Sequence, residues 1–190
     1  PIAIDLAIYH KGELQIERYW ELRYDCVPQP VVGEAVEELD VLLRQAVDLR
    51  LLADVPIGAF LSGGLDSSLV VALMQAVSDQ PVRTFAIGFE ESSFNELPYA
   101  REVAQALGTE HYEYTLSYQI EDLLPKMLDH FGEPFADSSA IPTYHLARVA
   151  REEVTVALSG DGGDEVFGGY RRYQARQWAE LFNRMPGRLL

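Results

Sequence analysis

An apolar strand, a glycine-rich turn and an apolar helix follow one another within residues 57–73, and this succession limits the possible folds more than any other feature. Ile57-Gly58-Ala59-Phe60-Leu61 reads as a short strand, and Leu69-Val70-Val71-Ala72-Leu73 as a helix apolar on all sides and therefore expected to be buried. Between them lies Ser62-Gly63-Gly64-Leu65-Asp66-Ser67-Ser68. Gly63 and Gly64 allow positive φ and a close backbone approach to phosphate oxygens, and the N-terminus of the next helix adds a positive field. Ser62, Ser67 and Ser68 add hydroxyl donors. The loop lacks the lysine of G-x-x-x-x-G-K-[ST], and Asp66 instead offers a carboxylate suited to Mg²⁺. A plain Gly-Gly turn capped by Asp66 or Ser67 is the bland alternative, but the full heptad in this setting is much rarer than a capped turn.

The surrounding pattern repeats the theme. Strand-like Val82–Phe89, a helix over Glu96–Leu107, strand-like His111–Leu116, helical stretches over Glu121–Phe131 and Ile141–Arg151, and a last strand over Val154–Leu158 predict an α/β fold, a doubly wound parallel sheet with flanking helices. A final helix is expected to about Leu181. Ahead of this, residues 1–30 read as a hairpin built on Leu6–Tyr9 and Leu14–Ile16, followed by a Pro28-Gln29-Pro30 linker. From Val31 a helix with Val36, Leu39, Leu43 and Ala46 on one face opens the domain and must end before Pro56. Ligands in such sheets sit beyond the carboxyl ends of the strands, where both glycine-rich segments fall.

Charge narrows the partners. Thirty acidic against 15 basic residues give a net charge of -15, which disfavours nucleic acid and anionic membrane surfaces and leaves a small-molecule substrate. Cys26 is the only cysteine and no apolar run spans a bilayer, so a cytoplasmic setting is expected. The four histidines, His10, His111, His130 and His145, show no metal spacing. Glu34, Glu37, Glu38 and Asp40 fit the solvent side of a helix start, and Arg171 and Arg172 fit a helix surface.

The second segment, Leu158-Ser159-Gly160-Asp161-Gly162-Gly163-Asp164-Glu165-Val166-Phe167-Gly168-Gly169-Tyr170, follows a strand and sets acids among glycines. The first heptad resembles the SGGxDS motif of the N-type ATP pyrophosphatases, the PP-loop group with an adenine nucleotide alpha hydrolase-like fold. The second segment resembles the glutamine-hydrolysing asparagine synthetase branch of that group, as do Ala53–Gly58, Thr84–Phe89 and Phe135–Thr143. The resemblance runs from about Val31 to the end. It divides the chain into 1–30, the tail of a preceding glutaminase domain with its linker, and 31–190, the N-terminal part of a truncated synthetase domain.

That resemblance implies ATP and Mg²⁺ as cofactors. Leu61, Ser62, Gly63, Gly64, Asp66, Ser67, Ser68, Ile87, Gly88, Ser159 and Gly160 would hold the nucleotide, and Asp66 and Asp164 the metal. Asp161 would stand near the reacting carboxylate, one methylene shorter than the Glu of many relatives. Asp137, Ser138 and Ser139 would lie on the substrate side, unless they merely cap the next helix. The implied reaction adenylates the β-carboxylate of aspartate, releases pyrophosphate and admits ammonia made from glutamine in a domain outside this chain. Pro1 and the internal Cys26 do not match that domain's N-terminal cysteine nucleophile. Lys11 and Lys126 are the only lysines and neither adjoins a motif, so the family's pyrophosphate-side lysine is expected beyond Leu190 and synthesis by this stretch alone is not. A β-lactam synthetase-like or other amide-forming enzyme and a nucleotide-binding module without turnover are the alternatives, and a homo-oligomer is left open.

Overall fold

A computed structural model describes residues 3–21, 31–89, 95–116, 120–133, 137–173, 175 and 178. The chain divides into two units, Pro1–Leu39 and Asp40–Leu190. In the first, β1 (Ala3–His10) and β2 (Glu13–Glu21) form the expected antiparallel hairpin. Lys11 and Gly12 turn it with φ of 50° and 91°, the positive pair a two-residue hairpin loop needs to match strand twist. Arg18 Nε reaches Asp5 Oδ1 across the strands at 3.0 Å. Cys26 and the Pro28-Gln29-Pro30 stretch lie outside the described residues.

Helix α1 (Val32–Leu51) buries Val47 with Leu43 and Leu51 beside it, the i, i+4, i+8 stripe of a helix lying on a core, while Val36 is exposed. There follow β3 (Ile57–Phe60), α2 (Leu65–Val77), β4 (Arg83–Phe89), α3 (Leu97–Leu107), β5 (Glu110–Leu116), α4 (Ile120–Phe131), α5 (Ala140–Ala150), β6 (Val156–Leu158) and α6 (Gly163–Phe167). Strands β3 to β6 make one parallel sheet in the order β5-β4-β3-β6. The chain steps outward from β3 to β4 to β5, then returns to place β6 on the far side of β3. The order therefore reverses between β3 and β6, the topological switch point at which open α/β sheets bind ligands.

Period-two alternation sends side chains to both faces of the sheet. Ile57, Ala59 and Leu61 join Val82 and Ala86 in a core covered by Val71, Leu73 and Met74 of α2 and Leu97, Ala100 and Ala104 of α3. Phe60, Phe85, Tyr112 and Tyr114 pack on the other face with Leu146 and Ala150 of α5 and with Val154. Helices thus cover both faces, as a doubly wound sheet requires. Phe85 is fully buried and stacks on Tyr112 with ring centroids 5.2 Å apart. Buried Thr84 Oγ1 lies 2.9 Å from Thr109 Oγ1 and 2.8 Å from His111 Nδ1, which satisfies a hydroxyl that would otherwise be stranded in the core.

Three details differ from expectation. Helix α2 is not buried all round: Leu69 and Val77 are exposed, because the sheet covers only one side of it. The last strand is shorter than Val154–Leu158, since Val154 N–H donates back to Ala150 O at 2.8 Å and the ladder begins at Val156. No single helix runs on from Gly163. Helix α6 stops at Phe167, where Gly168 takes a left-handed φ of 71°, and helical geometry resumes at Arg171.

Candidate functional site

The first glycine-rich turn continues β3. Leu61 N–H donates to Phe85 O at 2.9 Å, which prolongs the ladder to the mouth of the loop. Ser62 and Ser67 then bind each other through their hydroxyl oxygens at 2.9 Å. Gly64 N–H donates to Ser62 Oγ at 3.2 Å, and Ser67 Oγ donates to Gly64 O at 3.2 Å. The loop is therefore held in shape by its own serines, and the Gly64 amide is engaged inside it. Gly63, at φ 82°, lies against the first turn of α3: a Cβ there would stand 2.5 Å from the carbonyl carbon of Tyr99. Asp66 falls in the first turn of α2, where a negative charge complements the helix dipole.

The second turn folds onto the first. A Cβ on Gly160 would stand 2.6 Å from the Ser67 backbone nitrogen, and one on Gly163 would stand 2.6 Å from Asp66 Cγ. Only residues without side chains allow this approach. Ser159 Oγ donates to Asp161 Oδ2 at 2.9 Å and accepts the Asp161 N–H at 3.4 Å, a small closed turn that sets the exposed carboxylate. Gly169 N–H donates to Asp164 O at 3.0 Å, and the Gly169 α-carbon lies directly against the Asp164 carboxylate. Tyr170 O–H donates to Glu165 Oε1 at 2.6 Å, which holds the Glu165 carboxyl below its ordinary range and the Tyr170 phenol above its own.

A cleft of about 350 Å³ opens between the two turns at the carboxyl end of the sheet. Leu61, Ser62, Gly64, Asp66 and Ser67 border it from the first turn, Ile87 from β4, and Ser159, Gly160, Asp161 and Asp164 from the second turn. Gly63, Ser68 and Gly88 do not. Gly63 serves the packing on α3, the Ser68 hydroxyl is buried without a hydrogen-bond partner, and Gly88 makes room for Leu97 and Asn95. Asp137 accepts Ser139 N–H at 2.9 Å in a turn ahead of α5, and of that segment Thr143 alone borders the cleft; residues 134–136 lie outside the described residues. Phe60, Leu65, Ala86, Leu146, Gly162 and Tyr170 complete the walls without having been expected there. Leu146 lies one helical turn beyond Thr143, a spacing that could have revealed it.

A larger cavity of about 600 Å³ lies at the opposite end of the sheet, among Leu51, Pro56, Met74, Pro81 and Arg83. It is remote from both glycine-rich turns. The smaller cleft, where polar groups converge at the switch point, is the better candidate. Among the described residues no group of three or more histidine, cysteine, aspartate or glutamate side chains is arranged to hold a metal ion.

Residues 38–189, which include both turns and every residue bordering the cleft, match the family model of asparagine synthase. The chain belongs to the asparagine synthase family. Its relatives in that family include the putative glutamine-hydrolysing asparagine synthetase 2 of Methanocaldococcus jannaschii, 43% identical over 178 residues, covering 93% of this chain and 34% of that protein. The glutamine-hydrolysing asparagine synthetase 1 of Bacillus subtilis is 38% identical over 179 residues, covering 94% of this chain and 28% of that protein. The chain thus spans about a third of the length of these asparagine synthetases. Among solved structures it is similar to the NH3-dependent NAD synthetase of Campylobacter jejuni, with 16% identity and a TM-score of 0.45 over 73% of this chain and 60% of that one.

Proposed function

We propose that the cleft binds ATP for asparagine synthesis. In this reading a β-carboxylate oxygen of aspartate attacks the α-phosphorus, the bond to pyrophosphate breaks, and ammonia then displaces AMP from the acyl carbon. The observation that carries the reading is the close approach of the two turns, Gly160 on the Ser67 backbone and Gly163 on the Asp66 carboxylate, at the reversal of strand order. A phosphate chain laid there would meet the α2 N-terminus and the Ser62 and Ser67 hydroxyls, which are held in place by their bonds within the loop and would turn from those partners to donate to phosphate. Leu61, Ile87, Ser159 and Gly160 would line the nucleotide. Asp161, exposed and fixed by Ser159, would face the reacting carboxylate.

Asp66 and Asp164 both border the cleft and offer hard oxygen donors, which fits Mg²⁺. With no third acid grouped with them among the described residues, phosphate oxygens and water would complete the shell. Bound there, Mg²⁺ would supply the positive charge that the first turn lacks. We assign the ammonia to glutamine hydrolysis in a domain to which residues 1–30 form the tail, with residues 31–190 opening the synthetase domain. The names of the relatives and the fraction of their length covered here support that assignment. No helix among the described residues is long and apolar enough to cross a membrane, and with the single cysteine this supports a cytoplasmic setting.

The test is amino-acid-dependent pyrophosphate release from Mg-ATP by the full-length protein. Release that requires aspartate, with asparagine formed when glutamine or ammonia is added, is expected. Release driven by another carboxylate and not by aspartate, or nucleotide binding without any release, would overturn the assignment.

A further inference from the structure

The cleft has a charge problem. Asp66, Asp161 and Asp164 border it, Glu165 adjoins it through Tyr170, and no lysine or arginine lines it among the described residues. The first turn offsets this for a phosphate chain with hydroxyls and a helix N-terminus. On the second turn the Ser159 hydroxyl is already given to Asp161, and with Asp164 assigned to Mg²⁺ it is the Asp161 carboxylate that an amino acid brought there with a free carboxylate would face within the same cleft. Like charges so placed disfavour binding unless a cation intervenes.

One cation stands next to a wall of the cleft, where its charge also acts on Glu165. The Arg172 guanidinium sits over the Tyr170 ring, 4.4 Å from its centroid. Tyr170 is itself a wall of the cleft, and its hydroxyl is fixed on Glu165 at 2.6 Å. Stacking on a ring orients the guanidinium plane and leaves its edge N–H groups for a planar carboxylate. A lysine would not be held in this way. We propose that Arg172, positioned by Tyr170, receives the unreactive carboxylate of the amino-acid substrate at the second-turn end of the cleft. The inference rests on the proposed amino-acid adenylation. It concerns an amino-acid carboxylate rather than a nucleotide phosphate, because the phosphate-directed donors all lie on the first turn.

Steady-state kinetics of the full-length protein test it, with whichever amino acid drives pyrophosphate release as the varied substrate. R172Q is expected to raise KM for that amino acid about tenfold, the lower value of a charge-assisted hydrogen bond at a partly exposed site, while KM for ATP stays at the wild-type value. R172K should recover only part of the loss. Y170A should reproduce R172Q by removing the platform, whereas Y170F, which keeps the ring, should stay within about threefold of wild type, as befits loss of an exposed contact. R171Q removes the neighbouring charge and controls for long-range electrostatics.

An unchanged KM for the amino acid in R172Q overturns the proposal, as does an equal rise in R171Q. A rise in KM for ATP alone would move Arg172 to the phosphates and overturn it too. If another amino acid replaces aspartate in the release assay, the proposed function fails while Arg172 is still tested. If no amino acid drives release, both fail.

Discussion

Replacing Gly160 with alanine adds one methyl group at the point where the two turns touch. Its Cβ would lie 2.6 Å from the Ser67 nitrogen and 2.9 Å from the Asp66 carbonyl carbon, both backbone atoms that no rotamer change can move aside. Restoring an ordinary 3.4 Å contact requires the turns to part by about 0.8 Å. The first turn resists, because Ser62, Gly64 and Ser67 are bonded to one another and Leu61 is tied to β4. Overpacking against such a fixed neighbour costs about 1–3 kcal/mol of stability. A misplacement near 1 Å in a positioning site lowers turnover by about a hundredfold. Gly64→Ala is the matched control: φ there is an ordinary -69°, and its Cβ would meet only the Ser62 hydroxyl at 3.3 Å. Chemical denaturation and titration of Mg-ATP on the full-length protein should show Gly160→Ala less stable and binding nucleotide at least tenfold more weakly, about 1.4 kcal/mol, with Gly64→Ala much closer to wild type in stability. Equal stability and equal ATP affinity in Gly160→Ala and wild type would refute the packing of one turn on the other as the basis of the site.

Asp66→Asn and Asp164→Asn should each weaken Mg²⁺-dependent nucleotide binding while leaving any metal-free binding equal or tighter, because each removes a repelling charge; isothermal titration with and without Mg²⁺ separates the two, and unchanged Mg²⁺ dependence removes that residue from the metal site. Phe85→Ala, which empties a fully buried position under α5 and strips Tyr112 of its stacking partner, should lower unfolding stability by about 3–5 kcal/mol, measured by the denaturation midpoint. His111 should make stability depend on pH. Burial, opposed by Glu113 and reinforced by Arg101, holds the imidazole below its ordinary value of about 6.5. The unfolded chain then binds the proton more readily than the folded one, so the contribution is complete above about pH 6.5 and is lost as pH falls through the lower folded value. Denaturation midpoints across that range should fall on the acid side, and His111→Asn should flatten that part of the profile.

The sequence alone was enough for the alternation of strands and helices, both glycine-rich turns and the family to which they belong, because each is written in local periods and in residue types with few conformational uses. The expected elements recur with small shifts at their ends, except the final helix, which is broken at Gly168. That both turns fall at the carboxyl end of the sheet was legible, but the strand order and the direct packing of one turn on the other were not, since they depend on contacts between residues about a hundred positions apart, such as Gly160 with Ser67. For the same reason, glycines equivalent in sequence divide by role. Gly63 and Gly88 make room for α3 and its approach, whereas Gly64 and Gly160 border the cleft. Ser68, a neighbour of Ser67 in the motif, is turned into the interior by the 100° step of the helix. Arg171 and Arg172 are exposed in helical geometry, as expected of a surface pair, but the placement of Arg172 over the Tyr170 ring was not legible in the sequence. Local chemistry named the parts, and the folding of one strand-end loop onto another decided which of them face the same space.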